Sequence, residues 1–418
     1  MLRNRRFLLL WLAQWVSRAG DTFTFLAITV RIDSLFADVA SSARALGAVL
    51  FAFALPQLLL GLFAGTLVDR WDRRRVMVVS DLARAALTPA FLLLREPADL
   101  PWAFAVAFLH SSLSVFFYPA RTALLPALVP QDRLMTANGW LQLGDTVARL
   151  SGPVLAGIVV GRWGSGAAFA VDSASFVASG LMILGIVGVG TRVAAEVRGE
   201  RAAWQDLQEG VRYALHSRLL QGVTLGLGVA LLGIGGVDTI IVPFLRHTFQ
   251  TTPEKLGLVM TAQGAGMLVG GMAVSRLGNR LSPLRVSVFS MLLLGLGVAL
   301  AGAAPAYKWV LVFIPVVGLA LAPLNASLQT MLQQGVPQEM LGRAGAVTDM
   351  AVTVCQLLSM AGAGWMAGLI GIRETFGLAG ALVVAGGLVM AWRLGTGQRL
   401  ASAPSLVVKP TPNVSRQN

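Results

Sequence analysis

The chain has 418 residues, 56% of them hydrophobic and only 13% charged, with 46 glycines and a formal net charge of +13. No soluble domain needs that much apolar surface, whereas a polytopic membrane protein does. Of the 33 Lys and Arg, 22 fall in expected cytoplasmic segments, 8 in external ones and 3 inside spans, a topology signal that argues against a nucleic-acid partner.

Arg3, Arg5 and Arg6 precede apolar sequence that continues to about Val30 with no small-residue cleavage site. That predicts an uncleaved first span with its N-terminus inside. It carries Gln14, Arg18 and Asp21. Arg18 and Asp21, three apart, share a helix face and can pair. Each costs about 2.5–3.5 kcal/mol at the centre of a span, so both are expected to face a bundle interior or a water-filled cavity.

The next apolar run, from about Ala45 to Val68, ends in Asp69 and then Arg70, Arg73, Arg74 and Arg75, and another begins at Val76. A short basic turn between two spans is expected in the cytoplasm. Gly61 and Gly65 stand at i, i+4 and would let another helix approach closely. Asp69, at a helix end, needs a partner from Arg70, Arg73 or a facing helix N-terminus. The pattern Gly-x-Leu-x-Asp-Arg-x-x-Arg-Arg resembles the cytoplasmic signature between helices 2 and 3 of the major facilitator superfamily, with Asp72 where Gly is preferred. The resemblance implies a conformational latch built from Gly61, Gly65, Asp69, Arg70, Arg73 and Arg74.

The third span, about 76–94, holds Asp81 and Arg84, read as a cytoplasmic ion pair bracing the arginine turn. In the fourth, about Pro101–Ala120, His110 reads as a hydrogen-bonded core group rather than a proton relay. The fifth, about 139–161, carries Gln142, Asp145 and Arg149, with Asp145 and Arg149 expected to pair at i, i+4. Beyond it, Ser151-Gly152-Pro153-Val-Leu-Ala156-Gly157 resembles the Gly-Pro motif of helix 5 in superfamily antiporters, with Ala156 where Gly is commoner. Pro153 removes a backbone donor, and Gly152 and Gly157 allow tight packing. Together with Asp172, the segments Phe116-Phe-Tyr-Pro-Ala-Arg121, Leu128-Val-Pro-Gln-Asp-Arg-Leu134 and Ala137-Asn-Gly139 resemble the bacterial branch that includes macrolide-efflux proteins and the enterobactin exporter.

Residues 190–217 form the longest polar stretch, with Trp204, Leu207, Val211 and Leu215 at helical spacing. They are expected to form an amphipathic helix on the inner membrane surface between two halves. The second half echoes the first: Asp238-Thr239 matches Asp21-Thr22, Arg246 matches Arg31, and Val336-Pro-Gln-Glu-Met-Leu341 matches Val129-Pro-Gln-Asp-Arg-Leu134. The basic turn is echoed by Gly271 to Arg276, but Ser275 replaces the acid, so the latch is expected to be one-sided. Helix 10 adds Asn325, and helix 11 begins near Asp349.

The expected architecture is an all-α membrane protein of about twelve spans in two pseudo-symmetric six-helix halves, 1–189 and 218–397, with a linker at 190–217 and a disordered tail at 398–418. It is placed in the plasma (inner) membrane with both termini cytoplasmic, as a monomer whose partners are a small-molecule substrate and the lipid bilayer. Enzyme chemistry finds no support. Lysines stand only at 255, 308 and 409, so no Gly-x-x-x-x-Gly-Lys-Ser/Thr phosphate loop exists. Histidines stand only at 110, 216 and 247, and a single Cys355 offers no metal site or disulfide. No cofactor is expected beyond a proton gradient, carried by Asp21, Asp145 or Asp238, and less centrally by Asp172 or Asp349. The favoured reading is a proton-coupled exporter of amphipathic small molecules, drug- or macrolide-like. Siderophore or lipid-like cargo is the alternative, and a non-transporting sensor or scaffold is the alternative of another class. Reporter fusions at Glu96 and Gln205 are expected to mark opposite sides of the membrane; the same side for both would reject this topology.

Overall fold

The computed structural model describes residues 4–187, 200–277 and 281–401, with side chains except at positions 62, 66, 69, 200–204, 206–207, 277 and 396–401. Most of the linker ahead of residue 200, and the tail beyond residue 401, lie outside the described residues. So does the side chain of Asp69. No strand occurs among the described residues.

A backbone in lipid has no water to bond, so it must satisfy itself within helices. Ten stretches are long and apolar enough to cross a membrane. One of them, Gln131–Leu184, has 54 residues and contains two crossings. Its helix α5 (Leu134–Leu184) reverses at Gly164, where φ 80° and ψ 174° suit a residue without Cβ. Helix α1 (Arg5–Ser34) is a further crossing: 30 residues rise about 45 Å, although charge keeps its mean hydropathy low. Twelve crossings follow among the described residues, in two six-helix halves. The first half comprises α1, α2 (Val39–Arg70), α3 (Arg73–Leu87), α4 (Leu100–Leu124) and both arms of α5. A surface helix, α6 (Glu200–His216), precedes the second half. That half comprises α7 (Arg218–Ile234), continued by α8 (Val237–Pro243), then α9 (Pro253–Leu277), α10 (Pro283–Ala303), α11 (Tyr307–Gly335), α12 (Gln338–Ile370) and α13 (Ile372–Ala401).

Local chemistry sets the element ends. Asp38, Asp72 and Ser217 cap α2, α3 and α7 by accepting backbone N–H bonds from Ser41, Arg75 and Leu220. Pro89 turns the last part of the third span into a 3-10 helix, because it supplies no amide donor. The seventh span breaks at Gly235-Gly236. Ser359 staples the break, accepting from the Gly236 N–H at 2.8 Å and donating to the Leu232 carbonyl at 2.8 Å. Helix α6 rests on α12, where Arg343 pairs with Glu209 at 2.5 Å. Val211 and Leu215 of its expected apolar stripe are exposed rather than covered by protein.

Glycines show where the halves meet. At the end opposite the basic turn, a Cβ on Gly257 (α9) would lie 2.3 Å from the Pro153 carbonyl of α5. One on Gly364 (α12) would lie 2.6 Å from the Arg44 nitrogen of α2, and one on Gly47 (α2) 2.6 Å from the Met360 carbonyl. At the basic end the same four helices carry Gly65, Gly139, Gly271, Gly342 and Gly345, with nothing within 4 Å. The halves touch at one end and part at the other. Gly65, expected to admit a close helix, therefore faces open space in this conformation, and a Cβ on Gly61 would meet the Gln57 side chain of its own helix at 3.0 Å rather than a second helix. Gly257→Val should overpack the α5–α9 crossing by about 1–3 kcal/mol and lower the thermal unfolding midpoint in detergent. Gly65→Ala, which meets nothing and gains helix propensity, should not lower that midpoint. Equal shifts in the two variants would contradict one-ended contact.

Candidate functional site

Three linked cavities, of about 340, 310 and 260 Å3, run through the middle of the bundle. Asp21 lines the first and second, and Asp238 lines the second and third. These two carboxyls are the repeat-related pair. Their neighbours keep the relationship: Thr22 donates to the Ala19 carbonyl and Thr239 to the Gly236 carbonyl, both at 2.6 Å. The cavity walls do not. The first cavity is polar, lined by Gln14, Ser17, Arg18, Asp21 and Arg84 among others. The third is walled mainly by aliphatic side chains and Phe25 and Phe376, with Asp238, Gln263 and Gln356 as its polar groups.

In the charged half, Arg18 lies 3.8 Å from Asp21 and 3.9 Å from Asp145. Both separations exceed hydrogen-bond length, and the Arg18 side chain is 49% exposed, so these contacts exchange readily. Gln14 completes the cluster, its amide donating to Asp145 at 3.0 Å. By contrast Arg84 and Asp81 are buried and bonded at 2.5 Å. Ser179 donates to the second Asp81 oxygen at 2.6 Å, and the Arg84 guanidinium lies 4.2 Å from the Phe176 ring centroid. Arg84 also reaches Asp21 at 3.8 Å. Arg84, from the pair expected to brace the basic turn, thus forms part of the cavity wall.

Other expected residues stand elsewhere. Arg149 is exposed and makes no ion pair with Asp145, whose cation is Arg18. The i, i+4 spacing gave only the possibility of contact, and a neighbouring helix supplied the cation. Gln142 and Asn325 are exposed and line none of the three cavities. The Gly152–Gly157 motif serves packing: a Cβ on Gly152 would meet Thr22 of α1 at 2.4 Å, and one on Gly157 the Pro253 carbonyl of α9 at 2.9 Å. In the basic turn, Arg73 donates to the Ala123 carbonyl at 3.0 Å, Arg74 bonds the Ile183 and Leu184 carbonyls, and Arg70 is exposed. His110 is buried between Phe53 and Phe176, with its Nε2 unpartnered, and lines the second cavity.

The sequence marks Asp172 as a less central proton carrier, and Asp33 escaped the sequence reading. Asp172 is fully buried, with one oxygen accepting from Ser175 at 3.3 Å and the other unpartnered. Asp33, at the end of α1, joins the halves. It is 2% exposed, lies 2.9 Å from Arg246 and 3.3 Å from His247, and accepts from Ser42 at 2.5 Å. Arg246 also donates to the Val30 carbonyl at 3.1 Å. The Arg31/Arg246 echo pointed to this region, but Asp33 stands in the last turn of α1, beyond the apolar run that ends near Val30, where a lone acid attracts no attention.

Two six-helix halves around central cavities define a transporter of the major facilitator type. The chain matches the transmembrane secretion effector family over residues 1–416 and belongs to it. It is 24% identical over 376 residues to macrolide efflux protein A of Streptococcus pyogenes, covering 88% of this chain and 92% of that one. It is 26% identical over 284 residues to the enterobactin exporter EntS of Escherichia coli, covering 67% and 66%. In fold it is similar to a bacterial homologue of the iron transporter ferroportin crystallised in an inward-facing state, with TM-score 0.74 at 16% identity over 94% of this chain and 99% of that one. The protein is a multi-pass membrane transporter, not an enzyme.

Truncating one member of a buried pair costs about 3–5 kcal/mol, enough to invert a two-state equilibrium. Asp33→Ala should therefore release the closed end. Spin labels at Ala37 and Lys308, on the two halves at that end, should report a longer mean separation than in the parent protein. An unchanged distance distribution would show that the glycine crossings alone hold closure.

Proposed function

We propose that the protein is a secondary active exporter of amphipathic small molecules, working by alternating access and exchanging substrate for protons. The observation that carries this reading is the loose Arg18–Asp21–Asp145 cluster at the centre of a cavity closed at one end and open at the other. Ion pairs at 3.8–3.9 Å can part without leaving a buried charge stranded, because the cavity supplies water. When the cavity faces the acidic exterior, Asp21 or Asp145 takes a proton. When it faces inward, the proton leaves and Arg18 pairs again, with substrate bound in the competing state. A charged wall on the first half and an apolar wall on the second suit a molecule with both characters. The macrolide and enterobactin exporters among its relatives support the outward direction.

The basic end is assigned to the cytoplasm of the inner membrane, with both termini there, so the conformation seen is inward-open. Closing that end would bring a helix against Gly61 and Gly65, where Asp69 and the arginines of the turn would act as a one-sided latch. The protein is taken to work as a monomer, its halves 1–189 and 218–397 moving about the linker 190–217.

The test is substrate-induced proton release from purified protein, using a substrate found by a drug-sensitivity panel in a pump-deficient host. Asp21→Asn or Asp145→Asn should abolish release and uphill efflux, whereas Asp69→Asn should slow turnover with release intact. If both cavity variants still release protons and drive efflux, coupling passes to Asp238.

A further inference from the structure

On the outer face of the first half, where α2 ends and α3 and α4 run side by side, lies a groove of about 530 Å3. It is separate from the transport cavities. Its walls are apolar: Trp71, Val76, Val79, Leu113 and Phe116. Trp71 and Val79 are 48% and 61% exposed, and Trp71 leans on Phe116 with ring centroids 6.1 Å apart. The one hydroxyl of the lining, on Ser80, is committed to the Leu113 carbonyl at 2.6 Å. Apart from the Trp71 indole N–H, the walls thus offer hydrocarbon. All the charge stands at one rim, where Arg70 and Arg75 flank Asp72. The Arg75 side chain is 86% exposed, and its nearest acid, Asp72, is 3.9 Å away. The other Asp72 oxygen already caps α3 by accepting the Arg75 N–H at 2.9 Å.

We infer that this groove binds an anionic phospholipid of the leaflet beside the basic turn, with the phosphate on Arg75 and Arg70 and an acyl chain along Val76, Val79 and Phe116. Charge complementarity selects the occupant. An apolar slot beginning under two cations matches a molecule with an anionic head and a hydrocarbon tail, and basic pockets at span ends recognise such headgroups. A zwitterionic lipid presents its own cation to the same arginines. A free phosphate leaves the slot unfilled.

The test uses full-length protein in nanodiscs of phosphatidylcholine carrying a trace of phosphatidylglycerol with a diazirine in its acyl chain. Photolysis should place adducts at residues 71–79 and 113–116. Millimolar glycerol phosphate should not compete, and a phosphatidylcholine diazirine probe should label those positions several-fold less. Arg75→Gln should reduce labelling by the anionic probe several-fold. Val79→Trp, which obstructs the slot and keeps both arginines, should reduce it as well. If Val79→Trp does not fold, Arg75→Gln alone decides. Equal labelling by the two probes, indifference to Arg75→Gln, competition by glycerol phosphate, or protomer–protomer cross-links in place of lipid adducts would each overturn the assignment.

Discussion

A carboxylate excluded from water needs a cation, and at Asp33 the cation comes from the other half of the molecule. Asp33 closes α1, Arg246 and His247 lie at the end of the seventh span, and together they tie the two bundles at one face. The glycine crossings α5–α9 and α2–α12 bring the backbones close enough for that pair to form. The arrangement depends on both kinds of contact. Close packing without the ion pair would leave a buried charge unpaired, and the ion pair without close packing would be exposed to solvent. With that face shut, the central cavities open only toward the basic end.

The cavities inherit a broken symmetry. Asp21 and Asp238 occupy equivalent places in the two halves, each followed by a threonine bonded back to the preceding turn. Around Asp21 stand Arg18 and Arg84, whereas around Asp238 the wall is almost wholly apolar. One half therefore offers exchangeable ion pairs and the other a hydrophobic surface. The half-exposed Arg18 leaves its ion pairs exchangeable, while Arg84, buried and bonded to Asp81, keeps one side of Asp21 fixed.

Much of the fold was legible because the bilayer imposes it. Spans had to be long and apolar, and charges inside them had to cluster, so Arg18, Asp21, Asp81 and Arg84 read correctly as neighbours within their own helices. The fifth span was expected to end near residue 161, but which of Gly161, Gly164 and Gly166 makes the reversal was decided by the backbone. The pairing of Asp145 was misread for a related reason. Helical spacing names which residues of one helix can touch, and Arg18 reached Asp145 from a different helix.

Sequence alone determined that the chain crosses a bilayer many times, and it carried the echo between the halves and the motifs that resemble the superfamily. The first follows from composition and local apolar runs, which a bilayer reads residue by residue. Tertiary structure decided what depends on two helices meeting. It decided that Asp33 pairs across the halves, that Arg84 belongs to the cavity, that Arg149 does not, and that Gly257 rather than Gly65 carries a helix crossing in this conformation. An ion pair or a close crossing needs two partners within a few ångströms, and residues such as Asp33 and Arg246, far apart in the chain, acquire that proximity only when the bundles pack.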